Sequence, residues 1–198
     1  MNRPMNLSFF LFPFLIAIFS QRQTQEKLNI SVEKVSCDSK FKFGEKLVIR
    51  IGSGKEEKVS PLKNYDLKDF IKLTDAEKLS IVAQLLKYRD DNSETCLLPF
   101  NFNYSKNNKS NTQKSPAAKA FSIKVDALYM INRLCFFEAP YYTWPVIVDA
   151  RTGAEVNDNA AAISEYYKVY DEWLKECLQK GVIDKVFPFN TNTYKWYH

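Results

Sequence analysis

SIKVDALYMINRLCFF, residues Ser122 to Phe137, is the stretch on which the fold turns. At ~100° per residue, Ala127, Leu128, Met130, Ile131, Leu134, Cys135 and Phe137 occupy well over half the circumference, leaving Asn132 and Arg133 as a narrow polar edge. A helix that is apolar on most sides needs neighbours on most sides. It is therefore expected at the centre of the protein, with the flanking segments supplying its cover.

Two further helices are predicted to do so. Upstream, Thr74-Asp-Ala-Glu77 has the spacing of a capping box, in which the threonine hydroxyl and the glutamate carboxylate satisfy backbone N–H groups at the helix start. Leu79, Val82, Ala83 and Leu86 make one apolar face beyond it, and Ile81, Leu85 and Tyr88 a second, so burial on two sides is expected. Asp66 to Leu73 reads as a shorter helix packing on it. Downstream, a helix from Asn159 to Lys180 is predicted to stop at Gly181, with Ile163, Tyr166, Tyr170, Trp173 and Cys177 as a stripe that belongs in the core.

The N-terminal half alternates instead. LNISVEKV from Leu28 to Val35 and KFKFGEKLVIRI from Lys40 to Ile51 read as two strands, and GSGKEEK as a charged turn ending the second. That turn is no phosphate loop, since Gly52 and Gly54 are too close together and Glu56 stands where a hydroxyl is required. Val146 to Val148 reads as a short buried strand, turned by DARTG with Gly153 at positive φ so that Ala154 to Val156 return. The fold class expected is α+β: a mainly helical single domain of three main helices, with two N-terminal strands and a short β-hairpin near 146–156. Asn101 to Ala120, rich in Asn, Ser and Lys, reads as a flexible loop within that domain, which spans 21–198.

The N-terminus reads as a signal peptide over 1–20. Arg3 precedes the apolar run Leu7 to Phe19, which is too short to span a bilayer and contains Pro13. Ile18 and Ser20 suit cleavage before Gln21, with an uncleaved anchor as the alternative; no cysteine follows to carry a lipid. Export, to the periplasm or the extracellular space, is therefore expected, with no membrane span after cleavage. The net charge of +5 resides in Arg3 and in Lys106, Lys109, Lys114 and Lys119 of the polar loop. The remainder is neutral, which argues against nucleic acid as a partner.

Cys37, Cys96, Cys135 and Cys177 allow three pairings in an oxidising compartment. A Cys135–Cys177 bridge is the first expectation, ahead of two buried thiols on apolar helix faces. None of the spacings suits a zinc cluster or a redox pair, and no metal or cofactor is implied. Asn29, Asn103 and Asn108 lie in N-x-[ST] sequons, which matter only in a eukaryotic secretory pathway.

Functional expectation centres on FFEAPYYTWPVIVDARTG, Phe136 to Gly153. Pro140 and Pro145 bracket Tyr141, Tyr142 and Trp144 and disfavour helix there, so the loop is read as stiff and extended. Such rings either plug the space above the central helix or present a pre-organised surface to a partner. The lone histidine, His198, is the last residue and supplies no held imidazole for a nucleophilic triad. The expectation is thus a non-catalytic module that binds another protein through Tyr141, Tyr142 and Trp144, an immunity-type inhibitor in the cell envelope being one form of it. The alternative is a glycan-binding or glycan-hydrolysing protein using Glu138 and Asp149, the acids that border the loop. The aromatic tail Val186 to His198 is expected to pack.

Overall fold

The computed structural model describes residues 29–37, 44–53, 56–59, 67, 70, 72–96, 121–136, 145–186, 188 and 193–197. Residues 1–20, read as a signal peptide, residues 101–120, read as a loop, and most of the short helix read over 66–73 lie outside the described residues. What is described is α+β, three helices with two small antiparallel sheets.

Strands β1 (Asn29–Ser36), β2 (Glu45–Ser53) and β3 (Glu56–Val59) form the first sheet in that order. Val32 pairs with Ile49 and Ile30 with Ile51, so the alternation read from the sequence sets the register that turns these side chains to the core. The charged stretch read as a turn instead returns as β3, with Arg50 opposite Val59 and Ser53 opposite Glu56. It flanks β2 on one side of the sheet, where charged residues are tolerated. On the other side the edge of β1 is closed by a helix. Gln84 accepts from Val32 N at 2.9 Å and donates to Ile30 O at 3.0 Å, and the Tyr88 hydroxyl donates to Val32 O at 3.2 Å. The amide of Gln84 thus takes the place of a further strand.

That helix, α1 (Asp75–Leu85), starts at the predicted capping box: Thr74 Oγ1 accepts from Glu77 N, and Glu77 Oε2 accepts from Thr74 N at 2.7 Å. Such a cap contributes about 1 kcal/mol. Leu79, Ile81, Val82 and Leu85 are buried, as the two-faced pattern requires. Helix α2 (Ile123–Cys135) is the central one, with Ile123, Val125, Ala127, Leu128 and Ile131 fully inaccessible. One expectation fails here. Asn132 is only 1% exposed, so the polar edge of α2 narrows to Arg133; Tyr129 and Phe136, about one turn to either side of it, pack on Trp196 and Trp173. Helix α3 (Ala160–Lys180) is capped by Asn159, which accepts from Ala161 N and Ala162 N, and ends at Gly181 in the left-handed conformation.

The aromatic stripe of α3 is core. Tyr166 packs on Trp196 at 5.7 Å, Tyr170 on Trp173 at 6.3 Å and Phe136 on Trp173 at 5.2 Å, giving a ladder of rings between α2 and α3. The C-terminal tail completes it, since β5 (Tyr194–Trp196) pairs antiparallel with β4 (Ile147–Asp149) and buries Trp196 fully. The return over 154–156 forms as a turn and a single bridge, Val148 to Glu155, while β4 takes its full-length partner from the tail. A strand as apolar as Val146 to Val148 needs both edges covered.

The cysteines correct the pairing expected from the helix faces. The disulfide joins Cys37 to Cys96, with Cα atoms 6.4 Å apart, and Cys135 and Cys177 are free thiols. Each of the latter behaves as a small hydrophobe. Burial pushes the Cys135 thiol up to about 12 and raises that of Cys177, whose sulfur accepts from Asp184 N at 3.3 Å. Among the described residues no helix is long and apolar enough to cross a membrane.

Candidate functional site

Tyr141, Tyr142, Trp144 and Glu138 lie outside the described residues, and so does Phe137. The structure instead describes the two ends from which residues 137–144 are held. At the first, Phe136 is 5% exposed, its N–H donates to Asn132 O at 2.9 Å, and its ring packs on Tyr170 and Trp173. At the second, Asn157 is buried and grips the backbone on both sides of Val146. It accepts from Ile147 N at 2.8 Å and donates to Pro145 O at 2.9 Å. Tyr197 N adds a bond to Val146 O at 2.7 Å. Two buried amide bonds from one side chain fix a backbone strongly, because leaving either group unpaired would cost about 1–3 kcal/mol.

Asp149 is placed at the end of β4, where Oδ1 accepts from Arg151 N, Thr152 N and Thr152 Oγ1 within 3.0 Å. The Thr152 backbone and hydroxyl bonds hold its carboxyl below the usual carboxylate range. It is an ionised anchor of the 149–153 turn.

A second feature stands elsewhere. A groove of about 630 Å³ runs between the turn Arg89–Asn92, Lys124 at the start of α2 and the α3 face bearing Ser164, Lys168 and Lys175. Arg89 forms its wall: the guanidinium pairs with Asp171 at 2.7 Å and lies 5.6 Å from the centre of the Tyr167 ring. Tyr167 is almost wholly buried, and its hydroxyl donates to Lys124 O at 2.8 Å. Burial raises that hydroxyl well above its ordinary value, so it stays a donor. Lys124 Nζ is held by Asn92 Oδ1 at 2.6 Å.

The third polar assembly is a junction between the first sheet and the helices. Lys34 Nζ lies 2.8 Å from both Glu45 and Asp91 and 3.3 Å from Ser93 Oγ. Next to it Glu45 N donates to Glu94 O, Cys96 N donates to Glu45 O, and the disulfide closes the same corner. Behind, Thr95 donates to the buried Asp126 carboxylate at 2.7 Å. The Asp91 and Lys34 hydrogen bonds each favour the charged partner. The bonds to Asp91 and Glu45 raise Lys34, the Lys34 bond lowers Glu45, and for Asp91 a burial that by itself would raise it is outweighed by the bonds from Lys34 and Ser93 together.

Sequence reading missed Asn157 and the groove. Nothing in Glu155 to Asp158 distinguishes a buried clamp from an exposed turn asparagine. The groove unites residues from three segments whose proximity only the packing creates. Among the described residues, no group of three or more His, Cys, Asp or Glu side chains is placed to hold a metal ion. In comparison with known proteins, no family model matches the chain, and no curated protein and no solved structure matches it significantly.

Proposed function

We propose that this chain is an exported, non-catalytic module that binds another protein through Tyr141, Tyr142 and Trp144. The observation that carries the reading is the anchoring of the segment at both ends. Phe136 is locked into the ring ladder of α3, and Pro145 to Ile147 are gripped by Asn157. A segment tied at two buried points and stiffened by Pro140 loses less conformational freedom on binding, which is how rigid aromatic anchors raise affinity. Export rests on the apolar N-terminal run, and the Cys37–Cys96 bridge is compatible with an oxidising compartment. An immunity-type inhibitor of an envelope toxin has these properties.

The test uses mature protein from Gln21, immobilised and exposed to envelope and secreted extracts of the producing organism. One stoichiometric protein partner is expected, lost on Trp144→Ala and Tyr142→Ala while the melting temperature stays within a few degrees. Retention of the partner by both variants, or a collapse of the melting temperature in both, would return these rings to a structural role.

A further inference from the structure

The groove beside α3 begins where two helices start. Ala160 is the first residue of α3 and Lys124, on the opposite wall, the second of α2, so the positive ends of both helix dipoles border the same hollow. A cation in the first turn of a helix opposes the dipole, yet Lys124 is held there, and by a neutral partner, its Nζ lying 2.6 Å from Asn92 Oδ1. The acids around it are engaged elsewhere. Asp91 bonds Lys34 and Ser93, the buried Asp126 carboxylate accepts from Thr95, and Asp171 pairs with Arg89. Lys168, one turn after Ser164 on the same face of α3, makes no ion pair among the described residues, and neither does Lys124.

Asp90 and Glu172 are the remaining acids of the groove. Glu172 lies just over two turns beyond Ser164, about 12 Å along the helix axis, towards Lys175. The end near Ala160 thus sets Lys124, Lys168 and two helix starts against Asp90. Its floor is rigid: Tyr167 and Ile163 are each 2% exposed, and the Tyr167 hydroxyl donates to Lys124 O at 2.8 Å, fixing the backbone from which that lysine projects. A cation held in advance on a fixed floor loses little freedom on binding. We propose that this end of the groove is a binding site for a small anion bearing a carboxylate or phosphate group, received between Lys124 and Lys168 with the Ser164 hydroxyl as a further donor. Arg89, paired with Asp171 and lying against Tyr167, walls the site. The volume of about 630 Å³ is within the range of small-molecule sites and leaves room for an organic body behind the charged group. No residue of the 137–144 segment takes part, so the site stands independently of the protein-binding reading.

The test titrates mature protein from Gln21 with inorganic phosphate and, separately, with citrate, at constant ionic strength against chloride, and follows the backbone amide chemical shifts. Saturable shifts are expected at Lys124, Ser164 and Lys168, with little change at Lys58 on β3. Lys124→Met combined with Lys168→Met should weaken binding at least about tenfold, because hydrogen bonds from charged groups contribute at least that much, while Lys58→Met should leave it unchanged. Lys124→Arg combined with Lys168→Arg keeps the charge and should retain binding. Saturation by only one of the two anions would support the site and identify the group it takes. Shifts spread evenly over the surface lysines, no saturation by either anion, or a doubly Met-substituted protein that binds like the parent would overturn the proposal, and so would equal loss in the Met and Arg pairs.

Discussion

Gly44→Ala is the substitution that the structure makes most informative. Gly44 sits where the turn between β1 and β2 meets the cross-piece Glu94 to Cys96, with φ at +135°, a value outside the range that L side chains adopt. A Cβ there would lie 2.8 Å from Glu94 O and 3.2 Å from Cys96 N, and both neighbours are backbone. Neither can rotate away. Relief requires moving the cross-piece, which strains the bonds Cys37 N to Gly44 O and Glu45 N to Glu94 O, both 3.0 Å. The backbone conformation alone costs about 1–3 kcal/mol, and each of the two weakened bonds adds about 1 kcal/mol, so a loss of about 3–5 kcal/mol is expected. For a chain of this size that lowers the melting temperature by roughly 6–20 °C. Gly153→Ala is the internal control: φ is +71° and a Cβ would meet nothing within 4 Å, so only the conformational cost of about 1 kcal/mol applies. Urea denaturation of parent and both variants, with slopes compared, measures the difference. Equal losses for the two variants would refute the argument that backbone crowding at the disulfide corner governs this site.

Three further outcomes follow from the same geometry. Replacing Cys37 and Cys96 by serine together opens a loop with a sequence separation of 59 and should cost about 4 kcal/mol in urea denaturation, while alkylation in denaturant without reductant should label two thiols, Cys135 and Cys177. Asn157→Ala leaves Pro145 O and Ile147 N without their partner and should cost about 2–4 kcal/mol by the same assay, with faster amide exchange at Ile147 as the local signature. The Lys34 junction sets an acid limit. The carboxyls of Glu45 and Asp91 titrate below their unfolded values near ~4, so their contribution is complete above that pH and is lost as pH falls through the lowered folded values. Lys34→Met should flatten the stability profile below about pH 5 and leave its shape near neutrality unchanged; a parallel acid decline in parent and variant would refute the linkage.

What the sequence determined by itself was local. The period of α2, the capping box at Thr74, the stop at Gly181 and the alternation of β1 and β2 are each written within one or two turns of chain, because they depend on which neighbours a residue has at fixed spacing. Even the burial of the α3 stripe was legible, since four large apolar residues and a cysteine at three- and four-residue steps have few other places to go. Tertiary structure decided the rest, wherever two distant segments had to be brought together. The two helix cysteines have equally apolar faces to lie on, yet the bridge forms at the corner where Gly44 lets the β1–β2 turn approach Glu94 to Cys96. Asn132 and Asn157 carry no local mark of burial, and only the packing of distant segments turned one into core and the other into the clamp on Pro145 and Ile147. The same holds for the exposed aliphatics at the end of α3. Leu178 lies on α3 beside the stripe while Val182 and Val186 follow its end, and it is the fold-back of Asp184 onto Cys177 and Trp173 that leaves all three outside.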